Sequence, residues 1–292
     1  MASANSADAA SADAAWHALQ SQIPASVRAA ERALAAGTGS EADLRSLLEF
    51  HQDFVTPLCS VFANALPCER ALAAISRWSP TGVCEIGAGA GLWARLLRAR
   101  GVEVHAYDVE TPTLPWSELW CGSERSLIAY GSGQLGGFSL LLCWPPLEDG
   151  VDGPNTMALD ALRSYCGDTL LYVGERPAAL GLLSTLSWRT AAGHTAGARF
   201  HAALDAGWTL VEVVTLPRWP GFADALHVFR RRGKSEAPPP ATAAKAAARD
   251  YDREFDDGSL PARLRRLVDL QIARPAVIAA TILLSMQVVL ET

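Results

Sequence analysis

Eleven residues, Val83-Cys84-Glu85-Ile86-Gly87-Ala88-Gly89-Ala90-Gly91-Leu92-Trp93, constrain this chain more than any other stretch. They read as a buried strand, a glycine-rich turn and the first turn of a helix. Seventeen residues after Gly91 stands Asp108, closing a second strand-like run, Val102-Glu103-Val104-His105-Ala106-Tyr107. Such a layout lets backbone approach a nucleoside and puts a carboxylate where ribose hydroxyls would lie. It predicts a nucleotide-type cofactor site on an open α/β sheet. The competing reading is a tight strand-to-helix turn that needs glycine for its shape alone.

The spacing narrows the ligand. A dinucleotide fingerprint has glycines at relative positions 1, 3 and 6. Here they stand at 87, 89 and 91, and the sixth position is Leu92. A pyrophosphate wants helix-terminal N–H groups aimed at its charge, and Glu85 beside the loop would repel it. That spacing disfavours a nicotinamide-dependent oxidoreductase. S-adenosylmethionine has no phosphate, and its amino-acid end carries an ammonium that suits Glu85. The run Glu85-Ile86-Gly87-Ala88-Gly89-Ala90-Gly91 followed by Ala106-Tyr107-Asp108 resembles the first two cofactor motifs of the class I S-adenosylmethionine-dependent methyltransferases. The resemblance covers roughly residues 66–232. It implies that Gly87, Gly89 and Gly91 line the methionine end of the cofactor, that Glu85 lies beside it, and that Asp108 holds the ribose.

Periodicity along the chain agrees with that fold. Residues 1–12 are small, polar and aperiodic, as in a disordered terminus. Two Ala/Leu-rich helices are expected over 13–36 and 41–64, separated by Gly37-Thr38-Gly39, with Ser40 and Asp43 marking a helix start. A third helix is expected from Pro67 to Trp78. These leading helices either cap the cofactor cleft or form a dimer face. Strands are expected at 82–86, 102–107, 126–130, 138–143 and 169–173, with helices at 91–100, 156–165 and 195–206 between and after them. The continuous apolar run Phe138–Cys143 suits a central parallel strand buried on both faces.

The last two strands, Trp208–Leu216 and Ala225–Arg230, are joined by too few residues for a crossover helix, so they must pair antiparallel. The expected fold is therefore α/β: a Rossmann-like, doubly wound, mostly parallel seven-stranded sheet ending in an antiparallel hairpin. N-terminal helices and a C-terminal tail are added to it. A parallel sheet that ends this way is also what the methyltransferase resemblance implies.

Beyond Arg232 the pattern changes. Residues 233–249, with Pro238-Pro239-Pro240, read as a linker, and 250–292 as a helical tail. Ala276–Leu290 is fifteen uncharged residues long, against the roughly 20 needed for a bilayer span. A packed or partner-binding helix is favoured there over a membrane anchor.

Composition excludes other classes. A net charge of −6 without a basic run disfavours strong general nucleic-acid binding and favours a small-molecule or protein substrate. The six cysteines form no C-x-x-C pair, and the six histidines have no metal-ligand spacing, so neither a zinc site nor a disulfide frame is expected. The N-terminus has acids at Asp8 and Asp13 and no arginine before Arg28, which fits neither a transit peptide nor a secretion signal. The expectation is an intracellular, cytoplasmic protein.

Ligands of open α/β sheets bind beyond the carboxyl ends of the strands. The fourth such end is Cys143-Trp144-Pro145-Pro146. Many amino-group methyltransferases carry Asn/Asp-Pro-Pro-aromatic there, the polar group orienting the target amine. The resemblance implies a substrate-facing role for Cys143, Trp144, Pro145 and Pro146. Yet Trp144 replaces the polar residue, and Leu147 the aromatic one. A rigid strand exit is the plainer reading of the two prolines.

The adenine-side acid of the family is also missing, since 131–133 is Gly-Ser-Gly. The next strand runs into Glu175, and a later segment holds His194. Either could take a proton from an acceptor, or Glu175 could cap a loop and His194 be a solvated turn residue. Methyl transfer is an in-line displacement governed by alignment. The expected function is thus methyl transfer from S-adenosylmethionine to a small molecule or protein side chain. The alternative is a non-catalytic scaffold that docks to a complex through its tail.

Overall fold

The computed structural model describes residues 20–110, 112, 115–127, 137–150, 153–186 and 195–238. Its centre is a seven-stranded sheet. The strands are β1 (Val83–Ile86), β2 (Val104–Asp108), β3 (Trp120–Cys121), β4 (Ser139–Cys143), β7 (Thr169–Gly174), β8 (Trp208–Thr215) and β9 (Ala225–Arg231). Two short pieces, β5 (Asp149–Gly150) and β6 (Gly153–Pro154), form a separate antiparallel ribbon. The order across the sheet is β3-β2-β1-β4-β7-β9-β8. The first five are parallel, and β9 runs antiparallel to both β7 and β8. This is the Rossmann-like, doubly wound sheet with a terminal hairpin that the sequence predicts.

Alternation along each strand builds two cores. Val83, Leu141, Leu171 and Val173 face α4 (Glu69–Trp78) and α5 (Leu92–Ala99), packing with Leu72, Ile75, Trp93 and Leu97. Their neighbours Cys84, Leu140, Leu142, Leu170 and Tyr172 point the other way. They pack with Leu159 and Leu162 of α6 (Met157–Ser164) and Phe200 and Leu204 of α8 (Ala198–Gly207). Because both faces are covered, every residue of β1 and β7 is buried. Complete burial of a leucine such as Leu141 stabilises the fold by about 1.5–3 kcal/mol.

A third apolar cluster lies outside the sheet. The helices α1 (Ala25–Ala35), α2 (Glu41–Phe50) and α3 (Thr56–Val61), with a π-turn at His51–Val55, enclose Val27, Leu47, Phe50, Phe54 and Leu58. Into the same cluster come Leu183 of α7 (Leu182–Leu186) and Trp219 of the β8–β9 connection. Ser40 and Asp43 make the expected start of α2. The Asp43 N–H donates to Ser40 Oγ at 3.2 Å, and the Asp43 carboxylate accepts from the Ser40 N–H at 2.7 Å. These leading helices pack on the sheet's own β8–β9 connection.

One strand lies elsewhere than expected. Residues 124–127 form a 3₁₀ turn, and 128–130 lie outside the described residues. The third strand is instead Trp120–Cys121, paired to Tyr107 and Asp108. Its two residues are held by ring contacts, Trp120 lying 4.8 Å from His105 and 5.3 Å from Tyr107. Leu127, from the apolar run that suggested a later strand, is buried in the second core. Among the described residues no helix is long and apolar enough to cross a membrane. The terminus 1–12 and the tail 250–292, with its run 276–290, lie outside the described residues.

Candidate functional site

The loop after β1 is shaped by its backbone. The N–H groups of Gly87 and Ala88 both donate to the Tyr107 carbonyl, at 2.9 and 3.0 Å, pinning the loop to the end of β2. Gly87, Gly89 and Gly91 have φ of 75°, 56° and 78°, a left-handed conformation that costs other residues about 1–2 kcal/mol each. A Cβ on Gly87 would lie 2.8 Å from Met157 Cε, whereas a Cβ on Gly89 would meet nothing within 4 Å. The loop is therefore packed on one side and open at Gly89.

Asp108 and the loop are in contact. One Asp108 oxygen accepts from the Gly89 N–H at 2.7 Å and the other from the Glu110 N–H at 3.1 Å. Glu85, in β1 two residues before the loop's first glycine, is 1% exposed, and its Oε2 has no hydrogen-bond donor. Burial pushes its carboxyl up to about 8; the Arg98 guanidinium opposes that rise and Asp108 adds to it. A buried carboxyl oxygen without a donor is costly. A cation placed against it would relieve that cost.

The rim beyond β4 is shaped by side chains. Trp144 leaves the sheet in a left-handed conformation, φ 51°, with its N–H donating to the Val173 carbonyl at 2.9 Å. Its indole Nε1 donates to Asp224 Oδ1 at 2.8 Å, and its ring meets Phe222 edge-on at 5.4 Å. Pro145 is buried, its carbonyl accepting from the Ala196 N–H at 2.9 Å, while Pro146 is exposed. Cys143 is half-buried. Desolvation raises its thiol well above the ordinary value, and the neighbouring Glu85 and Asp224 carboxyls raise it further.

Glu175 does not open onto this rim. It is 0% exposed, and three donors engage it: the N–H groups of Gly181 (3.0 Å) and Ala223 (2.7 Å), and the Ser184 hydroxyl. These bonds tie the chain after β7 to the β8–β9 connection, the loop-capping arrangement rather than a base facing solvent. His194 lies outside the described residues. Its neighbour Thr195 is buried, with Oγ1 2.6 Å from the Tyr172 hydroxyl.

Sequence reasoning passed over Asp224. Because β9 is antiparallel to β7, with Ala225 opposite Gly174, the residue before β9 lands on the carboxyl edge of the parallel strands. Asp224 is 1% exposed there. Burial pushes its carboxyl up to about 7, against the Trp144 hydrogen bond and with help from Glu175. The hairpin itself was legible, and counting back one residue from its second strand was the signal available.

The N-terminal helices hold this connection in place. His51 Nε2 lies 2.5 Å from the Pro220 carbonyl, and Glu31 accepts from the Gly221 N–H at 2.6 Å. Phe54 stacks edge-on against Trp219 at 6.1 Å.

No known protein family matches this chain, and no curated protein does. Among solved structures, a match is found to the crystal structure of small RNA methyltransferase HEN1. It has 12% sequence identity and a TM-score of 0.33, and covers 58% of this chain. The chain spans only 26% of that protein.

Proposed function

We propose that this chain is a methyltransferase of the class I type, using S-adenosylmethionine to methylate a small molecule or a protein side chain. The observation that carries the reading is Glu85. A carboxyl with a buried oxygen lacking any donor stands beside an open glycine turn, at the carboxyl end of the first strand. An ammonium fits that oxygen, and a pyrophosphate does not. Asp108 is placed at the same loop, on the end of β2, where a carboxylate meets ribose hydroxyls.

In this reading Glu85 would hold the ammonium of the cofactor's amino-acid end. Asp108 would exchange the Gly89 N–H for ribose hydroxyls. The glycines at 87, 89 and 91 would allow close backbone approach, Gly89 having the open side. The bound cofactor supplies an electrophilic methyl on a sulfonium. The chain's own contribution is to align the acceptor, exclude water and take up a proton where the acceptor has one. Cys143, Trp144, Pro145 and Pro146 would form the acceptor side. Glu175 would act there as a buried tie between loops.

A non-catalytic scaffold is the second reading. It is favoured by Trp144 at the family's polar position and by the full engagement of Glu175. The two are separated by calorimetric titration of S-adenosylmethionine and S-adenosylhomocysteine into wild type and Asp108→Ala. Micromolar binding that weakens at least about tenfold in the variant is expected, the loss of one or more hydrogen bonds to a charged group. Absence of binding by folded wild type would sink the enzyme reading.

A further inference from the structure

We propose that Asp224 supplies the polar group missing from the strand-4 motif, and that the acceptor it receives is a small amine. This rests on the cofactor reading above. Asp224 immediately precedes β9, yet the indole N–H of Trp144 reaches it at 2.8 Å. The residue that occupies the family's polar position thus holds a carboxyl brought from eighty residues further along the chain. Phe222 closes against the Trp144 ring, giving one acid and two aromatic rings, a combination that favours a cation.

The placement relative to the cofactor side is the second observation. Across the sheet Glu85 lies opposite Leu141 of β4, Cys143 opposite Val173 of β7, and Gly174 opposite Ala225 of β9, next to Asp224. The unpartnered Glu85 oxygen and the Trp-held Asp224 carboxyl therefore belong to one rim, with the β4 exit as their shared neighbour. Glu175, the other buried acid at this edge, has its oxygens taken by Gly181, Ala223 and Ser184. Asp224 accepts one side-chain bond, from Trp144. It is 1% exposed, in a connection that the N-terminal helices hold through His51 and Glu31. That depth suits a small amine.

The chemistry balances with the cofactor alone. Asp224 takes one N–H proton of the entering ammonium. The freed nitrogen lone pair forms the N–C bond to the methyl group while the C–S bond pair returns to sulfur, leaving a neutral thioether. A carboxyl whose burial has raised it to about 7 is matched to accepting that proton near neutrality. Trp144 is a positioning residue in this scheme, acting through Asp224.

The test uses S-adenosylhomocysteine and an analogue of it with a primary amine in place of the transferring methyl group. Both are titrated calorimetrically into wild type, Asp224→Asn and Trp144→Phe. Asparagine keeps the shape and can still accept from Trp144. The wild type is expected to bind the amine analogue about tenfold or more tightly than S-adenosylhomocysteine, the worth of a charge-assisted hydrogen bond. That preference is expected to vanish in Asp224→Asn and to shrink in Trp144→Phe, with affinity for S-adenosylhomocysteine unchanged. A preference retained in Asp224→Asn, absent from wild type, or lost together with S-adenosylhomocysteine binding overturns the proposal. No S-adenosylhomocysteine binding by folded wild type overturns the cofactor reading itself, and this one with it.

Discussion

The two halves of the sheet's carboxyl edge are built by different means. On the β1–β2 half, consecutive backbone does the shaping: three left-handed glycines, two N–H groups on one carbonyl, and an acid seventeen residues after the last glycine. On the β4–β9 half the shaping falls to buried side-chain bonds between segments far apart in sequence. Trp144 meets Asp224, and Glu175 ties residues 181, 184 and 223. The first half keeps a buried oxygen free of donors, while on the second the Glu175 carboxylate is saturated. A backbone-built site can lose a ligand without losing its fold. In a site built from buried side chains, a cut that strands several donors at once costs stability as well as binding.

The largest expected effect follows on the second half. Glu175→Ala strands two backbone N–H groups and a hydroxyl away from water. Each unsatisfied buried group costs about 1–3 kcal/mol, so urea unfolding should show a loss of about 3–5 kcal/mol. A loss below about 1 kcal/mol would mean that the donors find other partners, and the contrast between the halves would disappear.

Next come the glycines. Gly87→Ala and Gly89→Ala both pay the left-handed penalty of about 1–2 kcal/mol, and Gly87→Ala also pushes Met157 Cε aside. Unfolding should rank Gly87→Ala as the more destabilising. Titration with S-adenosylhomocysteine should show the sharper difference at Gly89, where the new methyl enters the open side of the loop. Equal stability and equal binding for the two variants would refute a loop packed on one face only.

The same contrast explains what could be read from the sequence. The glycine loop, Asp108 and the alternation of strand and helix are local patterns, so their elements stand within a few residues of expectation. The terminal hairpin was legible because eight residues between strands cannot form a crossover. The third strand was misplaced because two residues held by aromatic contacts leave no periodic trace, whereas the apolar run after them does. The helix over 41–64 is interrupted by a π-turn, and there His51 and Phe54 reach the β8–β9 connection. No local pattern marks such a contact. Glu175 looked available because its three donors come from 181, 184 and 223, and Asp224 was missed because its partner lies at 144. Long-range hydrogen bonds are what a reading of local chemistry cannot supply.

The effect that is smallest per step, less than tenfold per pH unit, tests the free oxygen directly, and its slope is bounded by one proton. In the folded protein the Glu85 carboxyl is raised from 4.5 to about 8 by burial. The folded state therefore keeps a proton that the unfolded chain gives up from about pH 4.5 upward, so Glu85 lowers stability progressively as pH climbs toward 8. A bound ammonium reverses the preference by favouring the carboxylate, and binding must then release a proton. Affinity for S-adenosylhomocysteine should rise with pH between about 5 and 7.5, by less than tenfold per unit, before the ligand's own amine titrates near about 8. Calorimetry in buffers of different ionisation enthalpy should read the same release, up to about one proton per site. Glu85→Gln should abolish the release, whereas Asp108→Ala should weaken binding while leaving it in place. Proton release that survives in Glu85→Gln would assign the linkage to another group and remove the reason for placing an ammonium beside the glycine loop.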